Sequence, residues 1–319
     1  MKPYVMKFLV CPACRSELEL QAQVVEGEEV LEGHLVCRAC GKGYSILRGV
    51  PRFVAADAYA SSFGRQWNWF RTVQLDSVNG TNESQKELES TSGWKAEDYV
   101  GRLVLDAGVG AGRYAEIVAK QGGEVVGIDL STAVDAAYYN IGRQERVHLI
   151  QADLFAMPFR EGTFDLAYSI GVLHHTPDPR TAFERVAAMV KKGGGVSVYL
   201  YARYGPSHHF SDLIRTLTTR LPLQFMLMLS ALSIPLYYLY RVPLLGKVLH
   251  LFCPISLHPN WRWRWLDTFD WYTPKYQWKF LYPEVIRWFR ANSFLDITVF
   301  DEPIRIRGIK TDVGHGAGE

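Results

Sequence analysis

Two pairs of cysteines near the N-terminus have the spacing of a metal site. Cys11 and Cys14 form one Cys-x-x-Cys motif, and Cys37 and Cys40 form a second after 22 intervening residues. Each motif can place two thiolates on one tetrahedral ion, and a site made of four thiolates is closed to substrate. Disulfides and a redox-active pair are the alternatives. The duplicated motif and the expected cytoplasmic location favour a structural zinc ion.

A second group of residues could hold a nucleotide-like ligand. The run from Leu103 to Asp106 is apolar up to its last residue, and glycines follow at positions 108, 110 and 112. An apolar run that ends in glycines is typical of a buried strand in a parallel sheet, and the residues after it have helical spacing. A strand, a glycine turn and a helix N-terminus form a place where backbone can approach a ligand closely.

Polar residues after the next two strands narrow the choice of ligand. Asp129 ends the second strand, where a carboxylate can accept both hydroxyls of a ribose in a dinucleotide or in S-adenosylmethionine (SAM). Arg113 occupies the last glycine position of a dinucleotide fingerprint, and Asp106 would add negative charge beside a pyrophosphate. Beside the cationic methionine end of SAM the same carboxylate is favourable. Gln151 and Asp153 follow the third strand and could read an adenine amino group, so the pattern favours SAM.

Residues 100–201 and 283–310 resemble the class I SAM-dependent methyltransferases. The matching motifs are residues 105–112, 126–131, 152–159, 163–175 and 190–195. The resemblance implies an α/β fold with a doubly wound, seven-stranded Rossmann-like sheet whose last inserted strand is antiparallel. It also implies the cofactor contacts, which are Asp106, Gly108, Gly110 and Gly112 at the methionine end, Asp129 and Leu130 at the ribose and adenine, Asp153 and Leu154 at the adenine, and Ile170 beneath the cofactor.

The cysteine motifs and the residues after them resemble a bacterial zinc-ribbon module. The segments that carry this resemblance are Cys11–Cys14, residues 37–46 and Gly49–Phe53. The module is similar to the small activator subunit of tRNA and protein methyltransferases and covers about residues 5–54. It often precedes a methyltransferase domain in one chain, which agrees with the interpretation of the glycine turn.

These motifs require a definite order of elements. Alternating apolar strands and helical stretches after residue 101 predict a parallel sheet with helices on both faces. The predicted strands are 102–106, 124–128, 147–151, 164–169, 195–201, 296–300 and 304–309, and the predicted helices are 112–122, 131–143, 179–192 and 283–292. The predicted domains are a zinc ribbon at 1–54, a linker and cap over the cofactor site at 55–100, and a methyltransferase domain at 101–319 with a helical substrate lid at 203–282.

Two histidines after the fourth strand are the candidates for catalysis. SAM carries its own leaving group, so the protein must mainly align the acceptor, and a base is needed only if the acceptor loses a proton. His174 and His175 are placed for that role, although one imidazole could instead stabilise the loop. Looser candidates in the lid are His208, His209, Asp270, Tyr272 and Tyr276.

Within the lid, residues 221–240 form an uncharged, apolar run of a length that could span a bilayer. Two prolines and the position between two strands of one sheet argue against a span. Buried lid helices are the favoured interpretation, and an interfacial lid in contact with lipid is the second. Farther on, Trp261–Trp265 alternates tryptophan and arginine, which could stack on RNA bases but could equally bind a sugar or a small anion.

The composition and charge of the chain limit the classes of function that it can have. The chain of 319 residues is 48% hydrophobic and 21% charged, which indicates a folded protein, and its net charge of +2 gives no general electrostatic case for nucleic acid. No signal segment is visible at the N-terminus, so a cytoplasmic location is expected. We therefore predict SAM-dependent methyl transfer to an oxygen or nitrogen atom of a small-molecule or lipid- or glycan-linked metabolite. An RNA methyltransferase and a non-catalytic SAM-binding scaffold are the alternatives.

Overall fold

The N-terminal part of the chain folds into an antiparallel four-stranded sheet. The computed structural model describes residues 1–54, 60–204, 207–302 and 304–311. Strands β1 (Leu18–Glu26), β2 (Glu29–Cys37), β3 (Gly43–Leu47) and β4 (Val50–Pro51) pair in sequence order. Their connections are short, as is usual for hairpins. This sheet carries the four cysteines at one end.

Both Cys-x-x-Cys motifs fold into the same turn. The amide of Arg15 donates to the carbonyl oxygen of Cys11 at 2.8 Å, and the amide of Gly41 donates to that of Cys37 at 3.0 Å. Arg15 and Gly41 both adopt left-handed backbone angles, with φ of 63° and 71°. The equivalence of the two turns brings the two pairs of thiols to face each other.

The thiol geometry fits zinc. All four sulfur atoms lie within 4.8 Å of one another, with Cys11 Sγ 3.7 Å from Cys40 Sγ and Cys14 Sγ 3.4 Å from Cys37 Sγ. Tetrahedral Zn–S bonds of about 2.3 Å place sulfur atoms about 3.8 Å apart. All four cysteines are free of disulfides. The predicted ligands Cys11, Cys14, Cys37 and Cys40 therefore form a donor set that suits a closed structural site.

The second sheet has seven strands in the order β10-β11-β9-β8-β5-β6-β7. Its strands are β5 (Leu103–Ala107), β6 (Glu124–Asp129), β7 (Val147–Gln151), β8 (Phe164–Ile170), β9 (Val190–Tyr199), β10 (Phe294–Val299) and β11 (Arg305–Lys310). The first five are parallel, and β11 inserts antiparallel between β9 and β10. The predicted fold is confirmed.

The largest difference from the predicted boundaries lies before β9. The three glycines at 193–195 were expected to end a helix at 192, but the helix ends at Met189 and β9 begins at Val190. Phe164 pairs with Val190 and Leu166 with Gly195, so the pairing shifts register and the added glycines form an irregularity within the strand. Glycine inside a strand often marks such a bulge.

Helices cover both faces of this sheet and form the lid. They are α1 (Ser61–Trp69), α2 (Asp76–Asn79), α3 (Glu83–Ser92), α4 (Ala96–Tyr99), α5 (Arg113–Lys120), α6 (Ala133–Ile141), α7 (Pro179–Met189), α8 (Ser207–Thr218), α9 (Leu223–Ser230), α10 (Ser233–Tyr240), α11 (Leu245–Phe252), α12 (Trp261–Tyr272) and α13 (Tyr282–Ala291). The sequence explains where several of these helices begin. For example, the Asn260 side chain accepts the amide of Arg262 at 2.9 Å and begins α12 as an N-cap.

The zinc ribbon packs directly on the seven-stranded sheet. One cluster of buried apolar side chains includes Leu9 and Leu35 of the ribbon together with Leu105 and Phe159 of the second domain. The Arg15 side chain reaches across and donates to the carbonyl oxygens of Met157, at 3.0 Å, and Phe159. The left-handed turn of the first knuckle is thus fixed by contacts with the other domain.

The expectation that residues 221–240 form buried lid helices is wrong. One helical stretch among the described residues, Leu223–Tyr240, is long and apolar enough to cross a membrane by length and composition, and 22% of it is buried. It consists of α9 and α10, and their buried residues are Met226, Ser230, Ser233 and Tyr240. Helix α12 lies beneath both and takes the inner position that the sequence suggested for them.

Replacing Cys37 with serine should remove the zinc and destabilise the ribbon. Loss of one thiolate opens the site, and zinc binding to a four-ligand site contributes about 10–16 kcal/mol of apparent free energy. We expect close to one zinc per chain in the wild type, far less in Cys37→Ser, and a lower melting temperature. Cys253→Ser, which alters the cysteine outside the cluster, is the control and should keep its zinc. Metal analysis that finds no zinc in the wild type would refute the site.

Candidate active site

The turn between β5 and α5 lies where three parallel strands end. The amides of Gly108 and Val109 both donate to the carbonyl oxygen of Ile128, at 2.9 and 2.8 Å, which ties the turn to β6. Gly110 has a φ of 53°, and a Cβ added there would lie 3.3 Å from the Trp67 indole of α1. This backbone approaches the helix above it closely because it carries no side chain.

Asp129 is held at the rim of this turn. Its Oδ2 accepts the Gly110 amide at 3.1 Å, and its Oδ1 accepts the amide and hydroxyl of Ser131 at 2.9 and 2.7 Å. Burial raises the pKa of Asp129, and the hydrogen bonds from Ser131 and Gly110 oppose that shift. The carboxylate is oriented by backbone and retains lone pairs that can accept hydroxyl groups of a ligand.

A cavity of about 340 Å³ opens above the turn. Its floor is formed by the ends of β5, β6 and β8, and helices α1 and α12 cover it with Phe63, Trp67 and Trp263. Ligand sites for small molecules are commonly concave, apolar and a few hundred Å³ in volume. Helix α1 lies in the segment that the sequence predicts as a cap, and three of its residues, Phe63, Gln66 and Trp67, line the cavity.

The structure brings most of the predicted site residues to this cavity. Those that line it are Gly108, Gly110, Asp129, Leu130, Leu154, Ile170 and His175. Four predicted residues do not line it, namely Asp106, Gly112, Asp153 and His174. Each of these four has an identifiable contact elsewhere or a buried position.

Three of these four residues have structural contacts of their own. Asp106 is buried and accepts the Tyr168 hydroxyl at 2.9 Å, and burial raises its pKa to about 7. Asp153 accepts the amide of Phe155 at 3.0 Å and caps the short helical turn Leu154–Ala156. A Cβ at Gly112 would lie 2.6 Å from Ile141 Cδ1, so this glycine permits close packing of α5 on α6.

The two histidines have different surroundings. His174 is fully buried, neither ring nitrogen has a hydrogen-bond partner among the described residues, and its ring stacks on Tyr201 at 3.9 Å. Burial lowers its pKa well below the usual range, so it stays neutral. His175 lines the cavity, and its Nδ1 lies 2.8 Å from the carbonyl oxygen of Tyr276. A carbonyl oxygen only accepts, so Nδ1 carries the proton and Nε2 is left with a lone pair.

Sequence reasoning missed several charged residues of the cavity. Arg113 was noted only as the residue that replaces a glycine, yet it lines the cavity and forms a 3.0 Å ion pair with Glu87 of α3. Asp267 and Asp270 of α12 face the same space. Burial raises the pKa of Asp267 to about 7. The alternation of acids and aromatics in α12 is the available signal, and of its two acids the sequence analysis names only Asp270 as a candidate.

Of the other candidates in the lid, Asp270 lines the cavity and Tyr272 does not. Asp270 accepts a 2.8 Å hydrogen bond from the Gln66 amide of α1, which closes the cap onto the lid. Tyr272 donates to the carbonyl oxygen of Pro254 at 2.8 Å, inside the lid. The side chains of His208 and His209 lie outside the described residues.

A chain of hydrogen bonds joins the zinc ribbon to the loop that follows β6. The Arg52 guanidinium donates to Gln151 Oε1 at 2.9 Å, and Gln151 Nε2 donates to the carbonyl oxygen of Leu130 at 2.9 Å. Arg52 also forms a 2.6 Å ion pair with Asp135 of α6. Gln151, which the sequence suggested as a reader of adenine, therefore positions the loop that follows Asp129.

Two family models match separate parts of the chain. The Methyltransferase domain family matches residues 105–198, from β5 to β9, and the Trm112p-like protein family matches residues 2–49. The chain therefore carries a segment that matches a methyltransferase domain, preceded by a segment that matches the Trm112p-like family.

Individual relatives match over part of their length. The chain is similar to phosphoethanolamine N-methyltransferase 2 of Caenorhabditis elegans, with 29% identity over 51% of this chain and 37% of the relative. It is similar to the ubiquinone biosynthesis O-methyltransferase of Alkalilimnicola ehrlichii, with 35% identity over 35% of this chain and 47% of the relative. The chain thus spans less than half of these relatives.

Among solved structures, a similar one is a phosphoethanolamine N-methyltransferase 2 of Haemonchus contortus in complex with phosphomonomethylethanolamine and S-adenosylhomocysteine. It has 18% identity and a TM-score of 0.47 and covers 80% of this chain and 48% of that chain.

Replacing Asp129 with alanine should lower SAM affinity by at least about tenfold, because a hydrogen bond to a charged group contributes about 1.5–3 kcal/mol. Calorimetry with SAM measures the change. Asp178→Ala removes an N-cap carboxylate of α7 that does not line the cavity, and it is the control that should bind SAM normally. Equal affinity of Asp129→Ala and wild type would contradict the cofactor site.

Proposed function

We propose that the protein transfers the methyl group of SAM to an oxygen or nitrogen atom of a small-molecule or lipid- or glycan-linked metabolite. The observation that carries the proposal is a single cavity that reaches from the glycine turn and Asp129 to His175 and the acids of α12. One end suits the cofactor, and the other has room, aromatic walls and a base for an acceptor.

His175 is the residue that we assign to proton removal. Burial lowers its pKa below 6.5, so the imidazole is neutral near pH 7. With Nδ1–H held by the Tyr276 carbonyl, Nε2 is the nitrogen available to receive a proton from an acceptor hydroxyl or amine. His174 has no such access, and we assign it to the packing beneath Tyr201.

SAM supplies an activated methyl group and a neutral leaving group when it is bound. In this proposal Gly108 and Gly110 approach it through backbone, Asp129 accepts its ribose hydroxyls, and Leu130, Leu154 and Ile170 pack around the adenosine. The names of the relatives, an N-methyltransferase and O-methyltransferases, support nitrogen or oxygen as the acceptor atom. We also propose a cytoplasmic location and contact with lipid through residues 221–240.

The RNA alternative loses support from the geometry of α12. Trp263 and Arg264 are buried, and Arg264 donates to the carbonyl oxygen of His258 while its guanidinium lies 3.9 Å from the Tyr237 ring centroid. Trp265 donates its indole N–H to the Leu227 carbonyl oxygen at 2.9 Å. These three side chains hold the lid together, and only Trp261 and Arg262 of residues 261–265 are exposed, so the segment does not form a continuous platform for bases.

Methyl transfer is tested directly with two acceptor probes. Purified full-length protein is incubated with SAM and either phosphoethanolamine or a simple catechol, and S-adenosylhomocysteine is measured by mass spectrometry. We expect turnover above the level of Asp129→Ala with at least one of the two probes. SAM binding without transfer to either class of acceptor would favour the non-catalytic scaffold instead.

Replacing His175 with alanine should lower kcat by about 10²–10⁴-fold, the usual contribution of general base catalysis, while SAM affinity stays unchanged. Because protonation removes the lone pair of Nε2, wild-type kcat/KM should fall as pH drops through the lowered pKa, below pH 6.5. The kcat/KM of His175→Ala should not show this fall at low pH. His34→Ala, on the exposed face of the ribbon, is the control. An unchanged kcat would remove His175 from the reaction.

A further inference from the structure

The lid carries a large apolar surface on its outside. Of the 27 exposed large apolar side chains among the described residues, thirteen lie between residues 213 and 252. Contiguous apolar patches of this kind are rare on monomeric proteins and mark surfaces that contact another phase or molecule. We call the outward faces of α8, α9, α10 and α11 the lid face.

The exposed side chains of α9 and of Leu232, which lies between α9 and α10, follow helical spacing. Phe225, Met228, Leu229 and Leu232 occur at i, i+3, i+4 and i+7, and their exposed fractions lie between 40% and 72%. This stripe points away from the protein, because the residues of the opposite stripe pack on α12 and Trp265 binds the Leu227 carbonyl. The helix is therefore apolar on both sides, which burial against α12 alone does not require.

The neighbouring helices repeat this arrangement. Leu213 and Leu217 are exposed at i and i+4 of α8, and Leu245, Val248 and Phe252 are exposed at i, i+3 and i+7 of α11. Helix α11 contacts both α8 and α10, so these stripes belong to adjacent helices of one layer.

The turn between α10 and α11 displays the most exposed apolar residue of this region. Leu244 is 76% exposed and adopts a φ of 65°, a conformation that bulky residues rarely take. Tyr238, at 74% exposure, precedes it on α10. Both side chains add exposed apolar surface to the lid face.

The charge of the lid indicates which kind of surface the lid face contacts. Residues 213–266 contain six lysines and arginines and no aspartate or glutamate, although the whole chain has 35 basic and 33 acidic residues. Arg220, Arg241 and Lys247 are exposed and form no ion pair with a described acid. Basic side chains around an apolar face match an anionic lipid surface, which attracts each nearby cation by about 1 kcal/mol.

We propose that the lid face docks flat on the surface of an anionic membrane, with Leu244 and the stripes of α8, α9 and α11 in the interfacial region. A membrane span is not compatible with this structure, because Met226, Ser230 and Ser233 are buried and α9 and α10 pack along α12. Docking leaves these inner contacts intact. Helix α12 also supplies Trp263, Asp267 and Asp270 to the cavity, so the membrane would lie one helix layer away from the acceptor site.

The full-length protein is tested with sucrose-loaded vesicles of phosphatidylcholine alone and of equal parts phosphatidylcholine and phosphatidylglycerol. We expect sedimentation with the anionic vesicles, weak sedimentation with the neutral ones, and loss of binding at high salt. The double variants Met228→Ser/Leu244→Ser and Arg241→Glu/Lys247→Glu should each lower the vesicle partition coefficient by at least about tenfold. These side chains are exposed, so circular dichroism and thermal melts should remain unchanged.

Matched controls change the same chemistry elsewhere. Val100→Ser/Tyr139→Ser removes two side chains that are each 66% exposed outside the lid, and Arg38→Glu/Arg102→Glu reverses two exposed charges. Both controls should bind vesicles like the wild type.

Absence of wild-type binding to anionic vesicles, or equal losses in the lid and control variants, would overturn the proposal. So would concentration-dependent self-association that the lid variants abolish without any vesicle binding, because the lid face would then join two copies of the chain. SAM binding and methyl transfer in detergent-free solution are separate measurements, so failure here leaves the proposed reaction to its own test.

Discussion

The turn after β5 is the constraint on which the rest of the methyltransferase domain depends. Its three glycines all adopt left-handed backbone angles, and each one faces a different part of the molecule. Gly108 lies against Val172 in the loop that leads to the histidines, Gly110 lies under Trp67 of the cap, and Gly112 lies against α6. A Cβ at Gly108 or Gly110 would press on a residue that lines the cavity, Val172 or Trp67, and a Cβ at Gly112 would press on Ile141 of α6. The same short backbone segment therefore constrains the floor of the cavity, the helix above it and the packing of α5 on α6.

The zinc ribbon supports this site from the opposite side. Two identical knuckles form the thiol cluster, and the left-handed Arg15 of the first knuckle is anchored in the second domain. At the other end of the ribbon, Arg52 connects through Gln151 to the backbone of Leu130. The hydrogen bond from Arg52 to Gln151 is buried and charge-assisted, so it is costly to leave either group unpaired. The small domain therefore contributes to the order of the loop after Asp129, and its cysteines do not line the cavity.

The helices of the lid have two roles. The inner helix α12 brings acids and tryptophans to the cavity, and the outer helices present apolar stripes and cations to the surroundings. Hydrophobic residues on a soluble protein are usually placed inward, and the reversal here follows from the position of α12, which already fills the space against α1. The most individual part of the sequence is thus the part that faces outward.

The sequence by itself determined the features that depend on local spacing. The zinc ligands follow from the two Cys-x-x-Cys motifs, the strands follow from apolar runs that end in glycine, and Asp129 follows from its place at the end of β6, because these signals lie within a few residues of one another. Only the tertiary structure decided what depends on contacts between distant segments. In the folded protein Asp106 bonds to Tyr168, Gln151 bonds to Arg52, and Gly112 packs against Ile141. The two adjacent histidines also differ, because His174 is buried and His175 lines the cavity. The tertiary structure also turned the apolar stripes of the lid outward, since periodicity reveals that a helix has an apolar face but the neighbouring helices decide what that face meets.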